Sequence, residues 1–504
     1  DKSAGSPQST STRRSPSARV VNTLPKGQVM DGWRVQRLDW YGRGIIEVYT
    51  RRDKKQYNFA FEGCIPDDII SVQVTEYKGW RTRKKQPRTY DMELVEKAKP
   101  AAETARGACP HYHEGCGGCT LQHMTYAGQL KAKEQLFRFE CEENKLELPE
   151  DLPVRMVACP RGEFGFRGRG DFSLHPGPNK TVRIGFYELR TLRGIQVRSC
   201  MILLPIVQEV LRAGHLVLAE FGAKGLGAHD ARTGLGTLEN LFVHSATAKD
   251  GTPQLLLQFV DSLMSDQQLM SEMAMALASA VPGIAGVVRT RSRYRDEEST
   301  EVWEEVLFGQ SAVWTTVLGC QFRISAGGFF QPSAGTLQTL AQAVLDGVDG
   351  KKGEKVWEFY CGSGLFSVLL AKHHGVSTVG FEGVAHSLRE LTTNAEANGI
   401  PDQCEAVHID LNSRSALRCL VDSLPLPDVV VVDPPRRGCS RPLRRLLPHL
   451  GARRVVYASC HPPSQVRDAL HLIGNGYELK SVSLIDTAPN TTHMETVMIF
   501  DKVE

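Results

Sequence analysis

The chain has 504 residues, of which 41% are hydrophobic and 23% charged, with a formal net charge of +3. That length exceeds one ordinary core and suits two to four domains, while the near-neutral balance excludes a global polycation, so any nucleic-acid surface has to come from local clustering. No apolar run reaches the length of a membrane span, and thirteen cysteines without a secretory leader argue against a disulfide scaffold and for a reducing compartment.

Residues 1–25 are rich in Ser, Thr, Arg and Pro and poor in apolar side chains, the composition of a disordered tail. Arg13, Arg14 and Arg19 among serines fit the remnant of an organelle transit segment. The expected location is therefore mitochondrial, with the cytoplasm as the alternative. Residues 26–98 alternate short strand patterns, such as Ile69-Ile70-Ser71-Val72-Gln73-Val74, with turns at Gly42, Gly44, Gly63 and Pro66. This predicts a small β-barrel of the oligonucleotide-binding kind. Tyr41-Gly42-Arg43-Gly44 and Phe61-Glu62-Gly63-Cys64-Ile65-Pro66-Asp67-Asp68 resemble the TRAM module. A basic set that includes Arg81 and Lys84, with Trp80 and Tyr90 among it, has the chemistry to grip RNA phosphates and stack bases.

Residues 99–320 read as a central α/β domain with a cysteine cluster. Cys109, Cys116 and Cys119 stand close together, with Gly117 and Gly118 freeing the backbone, as thiolates converging on a soft metal do. Zinc is one candidate, with His111, His113 or His123 completing a tetrahedral site. A helix is expected over 120–140 and another from Gln267 to Ala280. Phe164-Gly165-Phe166-Arg167-Gly168-Arg169-Gly170 is basic and glycine-rich.

Residues 321–504 read as a Rossmann-like domain. Gly327-Gly328-Phe329-Phe330-Gln331 opens it, and a helix is expected from Ala334 to Leu345. Lys355-Val356-Trp357-Glu358-Phe359-Tyr360-Cys361-Gly362-Ser363-Gly364 is a strand entering a Gly-x-Gly turn, with a helix from Leu365. Such a turn lets backbone approach a ligand. Val379-Gly380-Phe381-Glu382 is a second strand ending in an acid suited to ribose hydroxyls. NAD is the alternative ligand, but Val368 stands where the dinucleotide fingerprint wants its third small residue. Val429-Val430-Val431-Val432 is a strand buried on both faces that stops at Asp433-Pro434-Pro435. Val455-Val456-Tyr457-Ala458-Ser459 likewise stops at Cys460. Function collects beyond the carboxyl ends of parallel strands, so Asp433 and Cys460 are expected to face one crevice.

Phe329-Phe330-Gln331, Phe359-Tyr360-Cys361-Gly362-Ser363-Gly364, Asp433-Pro434-Pro435-Arg436, Ser459-Cys460 and His493-Met494-Glu495-Thr496-Val497 together resemble the S-adenosylmethionine-dependent RNA uracil-5 methyltransferases, most nearly their large-subunit rRNA branch. The resemblance implies Gln331, Tyr360, Gly362, Gly364, Glu382, Asp410 and Asp433 as cofactor contacts. It implies Cys460 as the nucleophile toward uracil C6, Glu495 as the base at C5 and Asp433 as a group orienting the uracil. Arg167, Arg169 and Arg436 become candidate RNA contacts. The resemblance further implies a [4Fe–4S] centre on Cys109, Cys116, Cys119 and Cys200, although six residues separate the first two cysteines where the family has five. The partner is then RNA, most nearly large-subunit rRNA or its assembly intermediate, with no membrane and no obligate oligomer. The alternatives are an rRNA-binding assembly factor with weak or lost activity and a tRNA uracil-5 methyltransferase. Departures are Pro332-Ser333 where an Asn is expected, Glu358 for Asp, and His461 for Asn.

Overall fold

Val429–Val432 has no exposed side chain and lies inside a parallel sheet, the setting a four-valine run favours. The computed structural model describes residues 8–11, 18–52, 54–78, 89–230, 233, 235–261, 265–291 and 303–503. The sheet is built from β1 (Lys355–Phe359), β2 (Ser377–Glu382), β3 (Cys404–His408), β4 (Val429–Val432), β5 (Arg454–Ser459), β6 (Tyr477–Ile485) and β7 (Glu495–Lys502). Their order is β3-β2-β1-β4-β5-β7-β6. β1 to β5 are parallel, and β7 enters antiparallel between β5 and β6. Crossovers are made by α1 (Leu365–His374), α2 (Ala385–Ala397), α3 (Arg414–Ser423), α4 (Arg441–Leu446) and α5 (Pro462–Ile473). Strand order reverses between β1 and β4, the place where an open α/β sheet leaves a crevice beyond its carboxyl ends. α1 is buried from Leu365 through Ala371 and shares one core with Val356, Val429, Val431 and Val456.

Val154–Val157 joins this sheet at its edge, parallel to β6, although it lies in the middle of the stretch read as the central domain. The rest of that stretch forms a seven-stranded, largely antiparallel sheet. Helices Pro205–Lys224 and Gln267–Ala280 pack on it through Val207, Leu211, Met270 and Met273.

The chain divides into two compact units. One comprises 1–113, 119–140 and 488–493; the other comprises 114–118, 141–487 and 494–504. The β-rich part of the first unit is two small sheets. Lys55–Phe61 and Gly44–Thr50 lie at the centre of one; Val29–Arg34, Ile69–Lys78 and Thr89–Lys99 make the other. Both supply one core, with Trp33, Ile46, Val48, Phe59, Ile70 and Val72. Within the stretch expected to be a polar tail, Gln8–Ser11 pairs with Lys55–Phe61, Arg19–Val21 pairs with Gly44–Thr50, and Leu24 is buried in this core. A short apolar cluster (Val20, Val21, Leu24) outweighs the polar composition around it. The helix expected over 120–140 runs Tyr126–Glu143, and Lys133 in it is fully buried. Its ammonium donates to the carbonyls of Ala488 (3.0 Å) and His493 (2.7 Å).

Candidate active site

Three neighbouring strand ends build the site. Beyond β4, the Asp433 N–H donates to the Phe359 carbonyl (3.3 Å), tying the two strand ends together. The loop that follows, carrying Arg436, is pinned at several points. Cys439 N–H donates to Asp468 Oδ2 (2.8 Å), Ser440 N–H donates to the Tyr360 hydroxyl (3.0 Å), and the Ser440 hydroxyl bonds the Leu411 carbonyl. Gly438 has φ +77°, and a Cβ there would press on Arg467 and Asp468 at 2.6–2.7 Å.

β5 and β7 pair so that Ser459 stands opposite Thr496. Cys460 is one residue past Ser459, and Glu495 is one before Thr496. Antiparallel pairing therefore brings thiol and carboxyl to the same end of the same strand pair. The register is locked by buried Gln465, whose Nε2 donates to the Tyr457 carbonyl (2.8 Å) and whose Oε1 accepts from Thr496 Oγ1 (2.5 Å). His461 is the N-cap of α5, its Nδ1 accepting from Ser464 N–H (3.4 Å). The Asn expected there would be a capping residue too, so the exchange keeps the local role.

Electrostatics join these groups. Burial raises both the Asp433 and Glu495 carboxyls, Glu495 well above the carboxylate range, with the Asp433 charge adding and Arg436 subtracting. Burial, then Glu495 and Asp433, push the Cys460 thiol up to about 11, with Arg436 pulling partway back. Two buried carboxyls in mutual range hold back each other's second ionisation. Glu358, fully buried beneath the Gly-x-Gly turn, is raised to about 8, mainly by burial, with Asp433 and Glu382 adding. The Ser367 N–H (2.7 Å) and hydroxyl hydrogen-bond its Oε2.

The turn itself is shaped for a ligand. Tyr360 has φ +63°, an uncommon conformation for a side chain of its size, and its N–H donates to the Phe381 carbonyl (2.9 Å). Gly362, at φ +53°, faces open space where its Cβ would be; Gly364, at φ +80°, would drive a Cβ to 2.5 Å from Leu391. Glu382 Oε2 accepts from Gly362 N–H (3.2 Å), while Oε1 accepts from Gly383 N–H (2.7 Å) and Val384 N–H (3.0 Å). Asp410 is exposed just past β3, and the adjoining Ile409 N–H donates to the Glu382 carbonyl (3.0 Å).

Gln331 lines a cavity of about 50 Å³ with Arg169, His244 and Phe330, and Phe330 also lines a second cavity with Ser363 of the Gly-x-Gly turn. Arg167 and Arg169 both pair with Asp171, at 2.8 and 2.5 Å, which leaves the trio with one net positive charge. Arg81 and Lys84 lie outside the described residues.

Cys109 and Cys119 belong to the first unit, Cys116 and Cys200 to the second. Among the described residues no group of three or more His, Cys, Asp or Glu is placed to hold a metal ion. Of the histidines expected near the cysteines, His113 Nε2 bonds the Gly107 carbonyl (2.8 Å) and His123 Nδ1 bonds the Tyr112 hydroxyl (2.8 Å). The Gly117 N–H donates to the Tyr187 carbonyl (3.0 Å), and the Cys116 backbone bridges Glu188.

Strand order, Gly-x-Gly turn and the acid closing β2 define a Rossmann-like methyltransferase domain. Residues 316–503 match the family described as tRNA (Uracil-5-)-methyltransferase. The 23S rRNA (uracil(1939)-C(5))-methyltransferase RlmD of Vibrio parahaemolyticus is 29% identical over 476 residues, covering 93% of this chain and 95% of the relative. An RNA methyltransferase of Clostridium acetobutylicum is 28% identical over 418 residues, covering 82% and 86%. In fold, the Pyrococcus abyssi tRNA (uracil-54, C5)-methyltransferase, solved with S-adenosyl-L-homocysteine, matches with a TM-score of 0.65 at 20% identity, covering 94% of this chain and 100% of that one. The match over residues 316–503 and these relatives together show an enzyme of the RNA uracil-C5 methyltransferase class.

Proposed function

We propose that the protein transfers a methyl group from S-adenosylmethionine to C5 of a uridine in large-subunit rRNA through a transient bond between Cys460 and uracil C6. The observation that carries this is the Ser459–Thr496 register, which puts Cys460 and Glu495 at one strand end beside Asp433. The bound donor supplies an electrophilic methyl on a sulfonium. The Cys460 thiolate adds to C6, and the C5–C6 π electrons move toward C5 and O4. C5 takes the methyl as the donor's S–CH₃ bond breaks. Ionised Glu495 then removes the C5 proton, the C5–C6 double bond re-forms and the C6–S bond breaks, returning the thiolate. Asp433 orients the uracil edge, and Arg436 meets phosphate while supporting the thiolate. Gly362, Gly364, Tyr360 and Glu382 hold the donor's nucleoside, with Asp410 and Gln331 at its margins. A stacked base is out of reach, so the uridine has to be unpaired or flipped. The N-terminal β-sheets serve as an RNA-gripping module of the TRAM kind.

The test combines tritiated donor with uridine-containing rRNA fragments. Wild type is expected to label C5, Cys460→Ala to lose labelling, and a 5-fluorouridine fragment to give a denaturant-stable adduct only when Cys460 is present. Labelling by Cys460→Ala equal to wild type would remove the mechanism. A second reading, tRNA methylation, is favoured by the family match, and a tRNA transcript in the same assay separates it: preferential labelling of tRNA would replace rRNA as the substrate.

A further inference from the structure

The two crossover helices on either side of β4 carry a cation-lined groove that the catalytic geometry does not use. Arg414 and Arg418 project from α3, Arg441 and Arg445 from α4, and His449 from the turn after α4; together they line a space of about 590 Å³. In both helices the arginines are four residues apart, so each pair forms a row down one helix face. All four are exposed, and none makes an ion pair among the described residues. Arg444, between two of them, is different: half-buried, it pairs with Asp468 at 3.0 Å and so has a structural place. One acid, Asp422, lines the groove, and Leu417 and Leu446 are among its apolar residues.

Both helices start next to the site along the chain. α4 begins immediately after Ser440, which is held to Tyr360, and α3 begins four residues after Asp410. Both rows therefore start at the carboxyl ends of the strands where the crevice opens. We propose that this groove binds the sugar–phosphate backbone of the substrate RNA beside the target uridine, its four free guanidiniums each meeting a phosphate and its apolar residues lying under riboses. The inference rests on the RNA-substrate reading above. Unpaired, planar, permanently charged donors on both walls suit phosphate. Both helices start beside the strand ends that carry the candidate catalytic groups, which favours the strand attached to the target nucleotide over an acidic protein.

The test is an Arg414→Gln/Arg418→Gln/Arg441→Gln/Arg445→Gln variant of the full chain, binding a uridine-containing rRNA fragment across a range of KCl concentrations. Four lost phosphate contacts, at roughly 0.7 each on single-stranded RNA, reduce the slope of log affinity against log salt by about 3. S-adenosylmethionine affinity by calorimetry is expected to be unchanged, as is kcat, while KM for RNA rises. Arg212→Gln, on the remote helix Pro205–Lys224, is expected to leave the slope in place. If the quadruple variant fails to fold, the two double variants divide the effect, about 1.4 in slope each. A slope equal to wild type overturns the proposal, as does retained RNA binding with loss of binding to a Glu-rich helical peptide. Methyl transfer by the wild type is read separately, so an inert groove on an active enzyme and an inactive enzyme give different results.

Discussion

The Cys460 thiol offers a direct measure of the electrostatics. Burial and two carboxyl neighbours raise it from 9.0 to about 11. Two pKa steps correspond to roughly 2.7 kcal/mol against the thiolate, or about a hundredfold less of it at neutral pH. Glu495→Gln removes the larger of the two neighbouring charges and is expected to lower the thiol pKa. Arg436→Gln removes the opposing cation and is expected to raise it. The opposite signs exclude a general loosening of the pocket, which would move both variants the same way. The assay is the rate of iodoacetamide alkylation from pH 7 to 11, followed at Cys460 by peptide mass spectrometry because twelve other cysteines compete. A wild-type midpoint near 9, or a Glu495→Gln midpoint at or above that of wild type, would refute the reasoning.

Glu358→Gln tests the buried acid under the turn. Its folded pKa of about 8 lies above the ordinary 4.5, so the folded state holds a proton that the unfolded state has released between those values. Wild-type stability therefore falls as pH rises through that window, by up to roughly 5 kcal/mol, and the variant loses this dependence. The gap between variant and wild-type melting temperatures is expected to widen in the variant's favour from pH 5 to pH 8, and a gap independent of pH would count against it. Gly364→Ala combines φ +80° with a Cβ 2.5 Å from Leu391, so donor binding measured by calorimetry is expected to weaken at least tenfold, whereas near-native affinity would mean the turn yields. Lys133→Met leaves two carbonyls without their buried donor and is expected to cost about 2–4 kcal/mol in denaturant unfolding of the first unit; a change below about 0.5 kcal/mol would contradict the anchoring.

The parallel half of the site was legible because parallel strands deliver their polar ends to one edge. Four valines followed by Asp433, and a β run followed by Cys460, needed no partner to be read. Glu495 is different. It opens an antiparallel strand instead of closing a parallel one, and its place depends on the Ser459–Thr496 register, a pairing across 37 positions that local pattern does not encode; only the family resemblance pointed to it. Glu358 was visible as an acid within Val356-Trp357-Glu358-Phe359, yet its coupling to Asp433 depends on two strands lying side by side. Asp468 was missed altogether. It reads as an ordinary polar position on α5, although it accepts from Cys439 N–H and the Tyr457 hydroxyl (2.8 Å each) and so fixes the loop bearing Arg436. Val154–Val157 shows the same limit, since four residues carry no sign of partners 328 positions away.

The acids around the crevice bear on how a charged donor enters it. Asp433, Glu495 and Glu358 all have raised pKa values, and Arg436 opposes this at Glu495. A sulfonium placed near such carboxyls favours their ionised forms, so donor binding near neutral pH is expected to release protons. The thioether product carries no such charge and is expected to release fewer. Calorimetric titrations of S-adenosylmethionine and S-adenosylhomocysteine in buffers of different ionisation enthalpy give the proton count for each. Asp433→Asn is expected to reduce the difference between them. Equal counts for the two ligands, or a difference unaffected by Asp433→Asn, would show that these carboxyls do not sense the sulfonium and would separate the donor site from the acid cluster.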